Sequence, residues 1–249
     1  MKLYFNGCSF THGDELDNPQ KDSWPSLVSA NLKFDFLNDA VSGGTNDRTM
    51  YKTIQNINRY DYFVIAWTFY ARFTEYNPVD NFEINFNPGL VMDPSFHYSN
   101  DLKINYAKFK DYGTLYYKHW YNELFEFKKW LQQIILLQSF FKLKNKSFLM
   151  INTSQNNLPV FLQHQEKFIS ATRHLLDFFD YLNDEQILNE CTQIQELNSM
   201  IDTSTFIGWN KYSMAELSTG CKVGPNGHFL EDGHIKVADK VIECYNKTI

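Results

Sequence analysis

The chain has 249 residues, is 43% hydrophobic and 17% aromatic, and carries a net charge of −6. That balance supports one large domain, with or without an insertion, and excludes global disorder. No long basic run is present, which argues against electrostatic capture of nucleic acid. Cys8, Cys191, Cys221 and Cys244 are scattered without CxxC spacing. Neither a metal site nor a disulfide framework is expected, and a reducing compartment fits. The first residues lack the apolar core of a signal peptide, and no stretch of roughly 18 apolar residues would span a membrane. A cytoplasmic protein is the expectation, with later association with a virion compatible with it. Nothing in the sequence fixes the oligomeric state.

In chain order, Leu3 to Phe5 read as a short buried strand and Gly7 to Gly13 (GCSFTHG) as a turn. Trp24 to Leu32 reads as a helix, Phe34 to Leu37 as a second strand and Asn38 to Asn46 (NDAVSGGTN) as a loop. Arg48 to Ile57 is helix-like. Asp61 to Trp67 (DYFVIAW) is the strongest strand, with an unbroken apolar run of the kind buried on both faces. Strand, helix, strand, helix, strand implies βαβ units and a parallel sheet.

From Asn77 to about Asp111 the pattern breaks into an irregular excursion with room for a small hairpin. Tyr116, Trp120, Leu124, Phe127, Leu131, Ile134 and Ile135 then follow at helical spacing, predicting one long amphipathic helix. Ser147 to Asn152 is another buried strand. Phe161 to Leu197 reads as mostly helical with a break near Asn183. Phe206 to Trp209 is a short strand or turn. Glu231 to Tyr245 is the last helix, with Ile235, Ala238, Val241 and Ile242 on one face. The whole is one domain, 1–249, with an irregular and helical insertion at about 77–145.

In an open parallel sheet, chemistry gathers at the carboxyl ends of the strands. GCSFTHG, NDAVSGGTN, the Thr68 to Phe73 turn and the GPNGHFLEDGH loop near the C-terminus meet there. Ser9 stands at a strand-to-helix turn, where a hydroxyl either caps the helix or serves as a nucleophile beside a free backbone N–H. A nucleophilic serine needs a base, and His228 or His234 offers one. His234 has Glu231 and Asp232 as local carboxylates. Arg72 follows the central strand. It either reaches the site and holds an anionic or carbonyl group of a substrate, or sits at the surface paired with Asp14, Glu15 or Glu75. His12 reads as a rim residue on the first turn after Ser9.

These residues resemble a known family. GCSFTHG is similar to the first block of the SGNH (GDSL-type) hydrolases, with Cys8 where Asp is usual. NDAVSGGTN resembles the second block, with Gly43 at the oxyanion-donating glycine. HFLEDGHIKVA resembles the last block, where His228, Gly233 and Ala238 fit the spacing and His234 does not. A softer likeness links the chain to small SGNH-like proteins encoded by bacteriophages.

The resemblance implies an α/β fold, a three-layer α/β/α sandwich with a central parallel sheet of flavodoxin-like type. It implies a serine esterase without cofactor, acting on a small acyl ester or acylated saccharide, O-acetyl groups among them. Ser9 is then the nucleophile and His228 the base. The N–H groups of Ser9 and Gly43 form the oxyanion hole. Two departures stand out. The third block should supply an oxyanion Asn near Thr68 to Ala71, and Tyr70 occupies that place, leaving Thr68 or Tyr70 to substitute. The family acid lies three residues before the histidine. Position 225 is Pro, so Asn226 is the nearest side chain able to orient His228. His12, Asn46, Tyr70 and Arg72 are candidate substrate-binding residues. A non-catalytic binding or virion-associated protein on the same scaffold, and an acyltransferase, are the competing readings.

Overall fold

A computed structural model describes residues 1–77, 82–88, 106–154 and 184–248. The sheet is built from β1 (Lys2–Asn6), β2 (Asp35–Asn38), β3 (Tyr62–Trp67), β6 (Ser147–Asn152) and β7 (Phe206–Ile207). Their spatial order is β2-β1-β3-β6-β7, and every neighbouring pair is parallel. A parallel sheet needs a crossover between strands, and the helices supply it.

The central strand explains the layering. In YFVIAW every residue is buried. Phe63, Ile65 and Trp67 pack on one face with Leu131, Ile134 and Ile194; Val64 and Ala66 pack on the other with Trp24, Val28, Val237 and Val241. Successive side chains of a strand point to opposite faces, so an unbroken apolar run feeds two cores at once. The first face is covered by α6 (Glu123–Leu143), α7 (Asp184–Ser199) and Ile57 at the end of α4 (Asn46–Asn56). The second is covered by α3 (Trp24–Leu32) and α9 (Glu231–Thr248). The result is the three-layer α/β/α sandwich that the sequence implied.

The excursion begins at Phe73. β4 (Phe73–Asn77) and β5 (Phe82–Phe86) form an antiparallel pair, followed by α5 (Tyr106–His119). Phe73, Ile84, Phe86 and Tyr117 close a small separate core. The expected single long helix is two. The chain breaks after His119, and Asn122 caps α6 by accepting the Phe125 N–H at 2.9 Å. Trp120, read as part of an apolar face, lies in that break and is 74% exposed. Ile235 is also turned outward: α9 buries His234, Val237, Ala238, Val241 and Tyr245 instead. The helical stretch expected before Asp184 lies outside the described residues. Two short helices, α1 (Ser9–His12) and α2 (Pro19–Asp22), precede α3, and α8 (Met214–Leu217) follows β7. Among the described residues no helix is long and apolar enough to cross a membrane.

Candidate active site

Three strand ends converge at one edge of the sheet. β1 runs into Gly7 and Cys8, and Ser9 opens α1. The N–H groups of Thr11 and His12 both bond to Cys8 O at 2.9 Å. Those of Ser9 and Phe10 are the first of the helix and have no backbone acceptor among the described residues, as expected at a helix start. Ser9 is 5% exposed, and among the described residues its hydroxyl makes no helix-capping bond; the N-cap position is Cys8. Cys8 is fully buried on the other side of the turn, its sulfur 3.7 Å from Thr153 Oγ1.

The second loop folds directly onto the first. A Cβ at Gly44 would stand 2.6 Å from Gly7 O and 3.2 Å from Cys8 Cα, so only glycine allows this contact. Gly43 has φ +69°, and among the described residues its N–H has no acceptor. Thr45 caps α4 by accepting the Arg48 N–H. Asn46 is buried and its amide is committed to the end of β3. Its Oδ1 accepts the Thr68 N–H at 2.9 Å and its Nδ2 donates to Thr68 O at 3.1 Å. Thr68 is thereby fixed, while its own buried Oγ1 has no hydrogen-bond partner.

His228 is brought in by the loop before α9. Gly224 N donates to His228 O at 2.8 Å, and Val223 bridges Phe229. The ring lies 4.7 Å from that of Phe10, the neighbour of Ser9. No hydrogen bond joins Ser9 Oγ to His228 among the described residues. The partner of His228 Nδ1 is Glu15, whose Oε2 is 2.8 Å away. Glu15 also accepts the His228 N–H at 3.1 Å and, through Oε1, the Asn226 N–H at 2.8 Å. Burial pushes the Glu15 carboxyl up, but these donors outweigh it and hold the pKa below the usual carboxylate range. Gly224 makes room for the carboxylate: a Cβ there would stand 2.6 Å from Oε1 and 2.8 Å from Oε2.

Asn226 therefore plays a different part from the one expected. Among the described residues its exposed side chain makes no hydrogen bond to the ring, while its backbone N–H donates to the Glu15 carboxylate. A local search around the histidine could not find Glu15, which lies 213 residues away in the chain. The only sequence signal was an acid closing the loop that begins with Ser9.

The remaining candidates separate clearly. His234 is 1% exposed, and its Nδ1 accepts the Trp24 N–H at 3.1 Å. Burial, with a smaller contribution from His228, pushes its pKa down to about 4. Glu231 and Asp232 do not pair with it; Asp232 instead accepts from Lys222 N. His12 sits on the rim, its Nδ1 2.6 Å from Asp14 Oδ1, and this bond raises its pKa. Tyr70 packs its ring edge-on to Phe127 at 5.1 Å, on the core side of the turn. Arg72 makes no ion pair among the described residues. Its Nη1 donates to Gly44 O at 3.3 Å and its guanidinium lies 5.3 Å from the Phe69 ring centre. Among the described residues no cluster of three or more His, Cys, Asp or Glu side chains could hold a metal.

The family described as a family of unknown function (DUF6071) matches residues 14–247, and the chain belongs to it. No curated protein matches the sequence. Among solved structures, the chain is similar to TesA at 9% identity, covering 100% of both chains with a TM-score of 0.52. It is also similar to the psychrotrophic esterase EstA from Pseudoalteromonas sp., at 9% identity over 99% of this chain and 97% of that one, with a TM-score of 0.48. A catalytic mutant of Axe2, an acetylxylan esterase from Geobacillus stearothermophilus, matches at 12% identity over 98% and 93%, with a TM-score of 0.45. At such identities the likeness concerns the fold, and TesA carries it.

Proposed function

We propose that the protein is a serine ester hydrolase in which Ser9, His228 and Glu15 act as a triad. The observation that carries this reading is the Glu15 carboxylate on His228 Nδ1. A carboxylate there fixes the tautomer that leaves Nε2 free to accept a proton, and it stabilises the imidazolium that follows. Glu15 takes the role first sought at Asn226. Ser9 Oγ attacks the ester carbonyl while His228 takes its proton. The ring then returns that proton to the departing alcohol. Water attacks the acyl-enzyme with His228 again as base, releasing the acid and restoring Ser9. Contacts between nucleophile and base often tighten only with substrate bound.

The oxyanion has three donors on this reading: the N–H groups of Ser9 and Gly43 and the unpartnered Thr68 hydroxyl. Asn46 acts as a positioning residue, holding Thr68 from behind. Small acyl esters, O-acetyl groups on carbohydrate among them, are the substrates that the family resemblance suggests. A serine-directed fluorophosphonate should label Ser9 in the native protein. Ser9→Ala should abolish both labelling and aryl acetate hydrolysis without altering the circular dichroism spectrum. Undiminished turnover by that variant would refute the reading.

One observation favours a second reading, a non-hydrolytic binding or virion-associated protein on the same scaffold. Tyr70 stands where a further oxyanion donor belongs, with its ring in the core. Losing one such donor costs about 100- to 1000-fold in rate. A native protein that resists the probe would support this alternative.

A further inference from the structure

Arg72 is held in place but not neutralised. Three cations near the hairpin are paired among the described residues: Arg48 with Asp39 and Glu83, Lys52 with Glu83, and Lys129 with Asp47. Asp14 and Glu15, just after the first loop, are also committed, Asp14 to His12 and Glu15 to His228. Arg72 is half-buried and has no carboxylate among the described residues. Its buried Nε–H has no acceptor. Its order comes from two neutral contacts, the Gly44 carbonyl and the face of the half-exposed Phe69. A guanidinium is a fork that matches a carboxylate or phosphate with two parallel hydrogen bonds. Removed from water without such a partner, it favours an incoming anion.

Its position says where that anion lies. Gly44 O, which anchors Nη1, belongs to the residue after Gly43, whose N–H is free. The cation thus sits beside the proposed oxyanion hole.

We propose that Arg72 is an anion-recognition residue, and that the ester presented to Ser9 carries a carboxylate or phosphate within a few bonds of the reacting carbonyl. This rests on the esterase reading above and narrows its substrate class. An anion on the acyl side and an anion on the alcohol side share this chemistry, and matched ester pairs separate them.

The acyl-side pair is nitrophenyl hydrogen adipate against its neutral methyl adipate counterpart. The alcohol-side pair is acetoxyethyl phosphate against methoxyethyl acetate, read by acetate release. Wild-type protein should prefer the anionic member of one pair by about 10- to 100-fold in kcat/KM, the range of a hydrogen bond to a charged group. The preference should reside in KM. Arg72→Gln should abolish that ratio and Arg72→Lys should retain part of it, which also covers the case where the first variant fails to fold. An anionic-to-neutral ratio unchanged by either substitution would overturn the proposal.

If the protein turns over no ester, the esterase reading fails separately. Calorimetry with adipate and with inorganic phosphate then decides the anion site. Binding to wild-type protein that is lost in Arg72→Gln supports it, and the absence of Arg72-dependent binding overturns it.

Discussion

His228 and His234 are six residues apart in sequence and opposite in character. His228 sits in a loop at the carboxyl edge of the sheet, where the Glu15 carboxylate receives its Nδ1. That ring is held edge-on against a carboxylate oxygen at 2.8 Å. His234 sits one turn into α9, packed against Phe229 with ring centres 4.6 Å apart and accepting a backbone N–H of α3. A proton arriving there meets apolar walls, and its pKa falls to about 4. The sequence offered His234 the local carboxylates Glu231 and Asp232, and offered His228 no acid at the family position three residues before it. The fold reverses this, because burial and a distant loop decide charge more strongly than neighbours along the chain.

The contrast can be broken at its catalytic end first. His228→Ala should lower turnover of an aryl acetate by about 10⁴-fold or more, as loss of a triad member does, while stability is nearly unchanged. Equal activity in that variant would move the base elsewhere. Glu15→Gln should cost about 100- to 10,000-fold in kcat with little change in KM, because the amide supports the wrong tautomer and stabilises imidazolium poorly. A drop confined to KM would mean that Glu15 binds substrate instead. Gly224→Ala should act on the same contact more mildly. The added methyl displaces the carboxylate, and kcat should fall by about 10-fold or more, since small misplacements are costly. Chemical denaturation should show the fold intact.

At the structural end, the effect is on stability. The folded pKa of His234 lies below its unfolded value of about 6.5, so the unfolded chain takes up the proton first. The stabilisation is complete above about pH 6.5 and is lost as pH falls toward about 4, amounting to about 3 kcal/mol. Denaturation midpoints measured across this window should fall steeply for the wild type and more gently for His234→Gln. Parallel curves would remove His234 from the account.

Much of the architecture was legible in the sequence, for a physical reason. A strand buried on both faces, such as Tyr62–Trp67 or Ser147–Asn152, must be apolar throughout, and such runs stand out. Helix phase was less legible. The apolar spacing around Trp120 continues smoothly across a break that a single Asn122 cap enforces, so periodicity alone reads through it. Ser9, Gly43 and His228 could be proposed from the sequence because their loops carry fixed spacing. Glu15 was not. Its role depends on a contact between the two ends of the chain and on a left-handed backbone at φ +68°, which a non-glycine residue adopts only where its surroundings hold it. Arg72 remained ambiguous for a related reason: the absence of an ion-pair partner appears only in three dimensions.

The shared loop of Ser9 and Glu15 has a further consequence. On the proposed reading, nucleophile and acid leave the same strand end six residues apart, while the histidine that joins them lies 213 residues beyond Glu15 on the loop before α9. The triad then depends on the packing of α9 against α3, which sets that loop against Glu15. On this reading, loosening α9 parts the base from its acid while Ser9 and Glu15 keep their places at the end of β1.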